Sequence, residues 1–104
     1  MKSKRKKRHE IFNSLLQDEK VCYRTQSTIN LHKHHIFAGS HRNKSEKYGL
    51  WVWLRNDWHN GASYSVHADP TGELAVHLKQ EAQRRFEAIY GHEKFMKEFG
   101  KNYL

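Results

Sequence analysis

Residues 31–60 read LHKHHIFAGSHRNKSEKYGLWVWLRNDWHN, and the way this stretch divides decides the fold. Its first part, continued back to Ile29, is predicted to be a strand running from Ile29 to Phe37. The next segment, AGSHRNKSEKYG, is polar and charged with glycines at both ends, and reads as a loop. LWVWL (residues 50–54) is aromatic and β-branched, the composition that fits a pleated sheet. NDWHNGASYS (residues 56–65) is rich in turn formers.

Working outward, Asp69 and Pro70 read as an N-cap followed by proline in the first helical position. Leu74, Leu78, Ala82, Phe86 and Ile89 then recur at helical spacing, with Gly91 as the stop. A second short helix is expected to carry Phe95, Met96 and Phe99. Upstream, EIFNSLLQD (residues 10–18) places Ile11 and Leu15 on one stripe and predicts a short helix. The order strand, loop, strand, helix makes a compact α+β unit.

The chain has 104 residues and a formal net charge of +8. That length suits one domain, and the charge favours a polyanionic partner. Lys2, Lys4, Arg5, Lys6, Lys7 and Arg8 supply six of the positive charges, and what remains is 13 basic against 11 acidic residues. Residues 1–8 are therefore expected to be a basic, disordered arm, and residues 9–104 the folded domain. The arm reads equally as a solubilising tail or as a phosphate contact.

Cys22 is the only cysteine. It excludes an internal disulfide and any metal site needing two cysteines. No run approaches the roughly 20 apolar residues of a membrane span. The charged start is not followed by the apolar stretch of a secretory signal. The expectation is a soluble, cytoplasmic protein with no membrane partner.

The nine histidines carry most of the chemical information. His32, His34, His35, His41, His59 and His67 fall within 36 residues. Neutral imidazole is the commonest metal-ligating side chain and titrates near neutrality. Several familiar patterns are absent. His92-Glu93 is followed by Lys94, Phe95 and Met96, which breaks the zinc-protease helix motif. The Cys-x-x-Cys pair of zinc deaminases is missing, and so is a glycine-rich phosphate loop. His32 and His41 read as surface or supporting residues, while His77 and His92 read as solvated.

The ordered series His34-His35-Ile36-Phe37-Ala38-Gly39, Arg42, Ser45 to Leu50, His59-Asn60, Val66-His67 and Phe99 to Leu104 resembles the HNH nucleases, the ββα-metal endonucleases. The resemblance is narrower to small HNH-type proteins of phages and prophages, and it covers about residues 20–104. It implies a ββα-metal core with a short N-terminal helix and C-terminal helices. It assigns His34 and His59 to a divalent ion, with His67 as a further ligand. His35 becomes the general base, and Asn60 a supporting residue. Arg42 is placed to grip a phosphate through its fork of donors, with Lys44 and Lys47 as further contacts to the nucleic-acid backbone.

The implied cofactor is Mg²⁺ or Mn²⁺, with Zn²⁺ also suited to three imidazoles. The implied activity is hydrolysis of DNA phosphodiesters in a bacterial host, in phage recombination or DNA processing. Two departures stand out. Tyr48-Gly49-Leu50 occupies the neighbourhood where many relatives carry the middle Asn. Thr25, Arg55 and Trp58 stand where three zinc-binding cysteines accompany the position of Cys22, so that structural zinc is read as lost. The rival readings are an inactive DNA-binding protein of the same fold, and a metal-stabilised scaffold without DNA.

Overall fold

A computed structural model describes residues 13–104. The basic arm over residues 1–8 lies outside these residues, as does the start of the helix expected over residues 10–18. Two strands, β1 (Leu31–His35) and β2 (Trp51–Arg55), pair antiparallel. Leu31 stands opposite Arg55 and His35 opposite Trp51. Three helices, α1 (Arg42–Tyr48), α2 (Glu73–Tyr90) and α3 (His92–Phe99), complete a mixed α+β architecture.

β1 is shorter than the expected span. Asn30 adopts a left-handed conformation with φ of 55°, which breaks the extended chain just before Leu31. Successive side chains of a strand alternate between faces. Val52 and Leu54 therefore point together, and with Leu50 they join Leu78, Ala82 and Phe86 in the core. Trp51 and Trp53 occupy the other face, with Lys33 and Lys20 above their rings at 4.2 and 4.6 Å. The two rings pack against each other edge-on, 5.5 Å apart, outside the main core cluster.

No helix forms over residues 13–18, which corrects the expected N-terminal helix within the described residues. The physical reason is competition for backbone groups. The Ser14 hydroxyl accepts from the backbone N–H of Leu16 and Gln17, and donates to the carbonyl of Trp51. Gln17 accepts from the N–H of Trp53, and the Tyr23 N–H donates to the Trp53 carbonyl. The N-terminal segment thus closes the outer edge of β2, an edge that would otherwise present unpaired polar groups.

The polar segment between the strands is also more ordered than its composition suggested. A 3₁₀ turn (Gly39–His41) leads directly into α1. Ser45 pins this helix to the end of β1: its hydroxyl donates to the Phe37 carbonyl and accepts from the Phe37 N–H. Gly49 ends α1 with φ of 73°, the left-handed cap that glycine adopts without strain. A Cβ there would stand 2.6 Å from the backbone oxygen of Asn13.

α2 begins at Glu73, with Gly72 as its N-cap, rather than at Asp69 and Pro70. Those two residues belong to a turn in which the Asp69 N–H donates to the Ser65 carbonyl and the Gly72 N–H to the Asp69 carbonyl. Leu78, Ala82 and Phe86 are buried as expected; Leu74 is only half-buried, with Ala75 buried beside it, and Ile89 is 59% exposed. The stripe drifts toward Gln83 and Tyr90 at that end, where the Phe86 ring meets Tyr48, Phe95 and Phe99 edge-on and Tyr90 at a tilt. Gln83 is fully buried. Its amide donates to Glu87 and Asn102, and its carbonyl accepts from the Tyr103 N–H, which latches the last residues onto α2. Among the described residues no helix is long and apolar enough to cross a membrane.

Candidate metal centre

His34 comes from the middle of β1, opposite Val52, and so lies on the core face of the sheet with only 9% of its surface exposed. His59 sits in the π-type turn (Asp57–Gly61) that follows β2. The Arg55 guanidinium holds the Asp57 carboxylate with two hydrogen bonds of 2.6 and 2.9 Å, and the Tyr64 hydroxyl donates to the same group. These bonds brace the turn.

The chain then runs back beside itself. The Val66 N–H donates to the Trp58 carbonyl and the His67 N–H to the His59 carbonyl, which sets His67 alongside His59. The delayed start of α2 follows from this return: residues 65–72 carry His67 back to the sheet before the helix begins.

The three imidazoles converge. One nitrogen from each of His34, His59 and His67 lies within 4.8 Å of the other two. The Nε2 atoms of His59 and His67 are 3.0 Å apart. Two nitrogens bound to one cation at about 2.0–2.1 Å and adjacent coordination angles are separated by roughly 3 Å, so this spacing suits shared coordination. Among the described residues this is the one His/Cys/Asp/Glu cluster of three or more with that convergence.

The electrostatics favour the neutral, ligand-competent form. Burial pushes His34 down to about 3, helped by the neighbouring His59, His67 and His35 and then by Lys79. Burial also lowers His59 to about 4, with His67, His32 and His35 adding to the effect. Both rings keep a free lone pair at neutral pH, as metal ligation demands.

Comparison with family models, with curated proteins and with solved structures found no match.

His35 stands apart from the three. Alternation along β1 turns it to the face opposite His34, where it is half-buried beside Glu46 of α1. Its Nε2 lies 2.6 Å from the Glu46 carboxylate, which Lys33 also approaches at 3.3 Å. Burial works against the charge on Glu46, but the bonds from His35 and Lys33 outweigh it and lower its pKa. Glu46 was not singled out in the sequence, because residues 42–48 read as a loop. Recognition of Gly49 as a helix cap would have placed Glu46 on an ordered element.

Of the other expected contacts, Arg42 is exposed at the start of α1, and Lys47 is exposed near its end, 5.2 Å from the Tyr48 ring. Lys44 instead donates to the backbone carbonyl of Glu98 and ties α1 to α3. Asn60 is exposed beside His59. A cavity of about 190 Å³ opens next to the cluster, with His34, His67, His41, Lys79, Phe37 and Tyr103 among its walls. Lys79 and Tyr103 were not foreseen. Both reach this cavity through tertiary packing of α2 and of the tail it latches.

Thr25 and Arg55 surround Cys22, whose sulfur accepts from the Arg55 N–H at 3.2 Å. The thiol serves the edge of β2. His77 and His92 are exposed, as expected, and bond to Tyr23 and Glu87.

Proposed function

We propose that this chain is a metal-dependent endonuclease that hydrolyses DNA phosphodiesters, built on a ββα-metal core of the HNH kind and acting in the cytoplasm of a bacterial host. The observation that carries the reading is the convergence of His34, His59 and His67 nitrogens within 4.8 Å. The succession of β1, β2 and α2 supports the ββα assignment, since the ligands come from the first strand and from the two arms of the turn leading to the helix.

His34, His59 and His67 would hold a divalent cation, whose role when bound is to polarise a phosphoryl oxygen and stabilise the leaving oxygen. Three imidazoles suit Zn²⁺ better than Mg²⁺ or Mn²⁺, which favour oxygen ligands.

The resemblance gives His35 the task of taking a proton from the attacking water. Glu46 accepts from its Nε2–H, which leaves the lone pair on Nδ1, and the carboxylate stabilises the imidazolium that forms. The pair follows a general rule, that a catalytic base is oriented by a third group. Arg42 and Lys47 supply exposed cations for the phosphate backbone. Lys79 adds one beside the cluster.

Plasmid nicking with added Mn²⁺, Zn²⁺ or Mg²⁺ tests the reading. The expected result is metal-dependent nicking that EDTA abolishes and that His35→Ala slows by roughly 10²–10⁴-fold. Nicking by His35→Ala at the wild-type rate overturns the assigned base.

One observation favours a second reading, an inactive DNA-binding protein: His35 is bonded to Glu46 on the far face of β1 from His34. That reading predicts salt-sensitive DNA binding that persists in EDTA, with no cleavage under any divalent ion.

A further inference from the structure

His59 is held from both sides. Its Nε2 lies 3.0 Å from His67, while its Nδ1 lies 3.0 Å from the Nδ1 of His32. The β1 register explains the second contact. His32 and His34 are two residues apart on one strand, so both project from the same face. The His59 ring sits against both, with centroid separations of 5.2 Å to His32 and 5.3 Å to His34. The His32 and His59 ring planes cross at 86°, so the rings do not stack, and they meet through their Nδ1 edges. His32 is exposed, and its packing contributes little to the core.

A neutral imidazole carries one N–H, on one nitrogen or the other. The contact between the two Nδ1 atoms therefore has two forms. If His59 donates from Nδ1, its Nε2 keeps the lone pair that a cation needs. If His32 donates, His59 must carry its own proton on Nε2, aimed at the cluster, and cannot ligate there. A cation at the cluster is compatible with the first form alone. A ligating imidazole almost always gives its second N–H to a nearby acceptor, usually a carboxylate, carbonyl or water, which fixes its tautomer and ring orientation; here the His32 Nδ1 stands in that place.

We propose that His32 is a positioning residue: its Nδ1 accepts the Nδ1–H of His59 and so presents the His59 Nε2 lone pair to a divalent cation shared with His34 and His67. The inference rests on the metal-centre reading given above. It assigns a task to an exposed histidine whose residue type and strand position alone mark it as surface.

The test measures Zn²⁺ and Mn²⁺ affinity of the full chain by competition with a chromophoric chelator. It compares wild type, His32→Ala and His32→Asn, and records melting in EDTA for each. The Asn carbonyl oxygen occupies about the place of the His Nδ1 and accepts the same bond. The expected result is a roughly 10- to 100-fold loss of affinity in His32→Ala, near wild-type affinity in His32→Asn, and equal melting in EDTA for all three.

Equal affinity in wild type and His32→Ala overturns the role of His32 and leaves the three-histidine centre standing. Equal losses in both variants also overturn it, because His32 would then be a ligand itself. A wild-type chain that binds neither ion brings down the metal-centre reading, and this inference with it.

Discussion

Two residue-scale interactions, the His35–Glu46 pair and the burial of His34 among its neighbours, carry separate predictions under the proposed function. Glu46 touches His35 and none of the three converging imidazoles. Glu46→Gln keeps the size of the side chain and removes its charge. The expected outcome is a fall in kcat of roughly tenfold, less than the 10²–10⁴-fold that general-base catalysis as a whole supplies, with Zn²⁺ affinity unchanged; nicking rates and chelator competition on one preparation check both.

The second interaction sets a pH dependence. The His34 pKa lies near 3 in the folded chain and near 6.5 when exposed. Between those values the unfolded chain binds the extra proton, so stability of the metal-free protein rises with pH. It is complete above about pH 6.5 and is lost as pH falls toward 3. At pH 5 the loss from His34 alone is about 2 kcal/mol, equivalent to roughly 10 °C in Tm for a domain of this size. Melting in EDTA at pH 5 and 7.5 measures it, and a flat profile would contradict the buried neutral imidazole.

At the scale of elements, legibility in the sequence follows the range of the forces involved. α2 and β2 were readable because their apolar residues repeat at helical spacing or cluster as Trp51-Val52-Trp53-Leu54, and that pattern is local. α1 was not, since RNKSEKY shows no apolar stripe. Its helix is imposed by Ser45 bonding to Phe37 and by the left-handed Gly49. Residues 14–17 depart from the expected helix for the converse reason, because Ser14 and Gln17 commit their polar groups to β2. The three converging histidines were named from an ordered resemblance. His32, which contacts His59, and Glu46, which contacts His35, depend on strand register and on a helix that composition does not announce. Gly49→Ala tests how firmly α1 is imposed. It meets both a positive φ and a backbone oxygen at 2.6 Å, so a loss of at least 2 kcal/mol is expected; urea unfolding measures it.

For the whole molecule, the three candidate ligands come from β1, the turn after β2 and the return toward α2. A shared cation would therefore bridge segments that are distant in sequence. An ion that binds the folded chain alone stabilises it by about 2.7 kcal/mol at a hundredfold excess over its Kd. Zn²⁺ or Mn²⁺ is expected to raise Tm by roughly 10–20 °C, and EDTA to reverse the rise, as scanning calorimetry would record. An unchanged Tm at saturating metal would argue against a common ion.

The latch formed by Gln83 has a practical corollary. It seats Tyr103 in the wall of the cavity beside the histidine cluster, and the exposed Leu104 follows immediately. A hexahistidine tag fused after Leu104 would deliver foreign imidazoles to the mouth of that cavity and compete for the same ion. Protein prepared for metal titration is better purified through a cleavable tag at the opposite terminus.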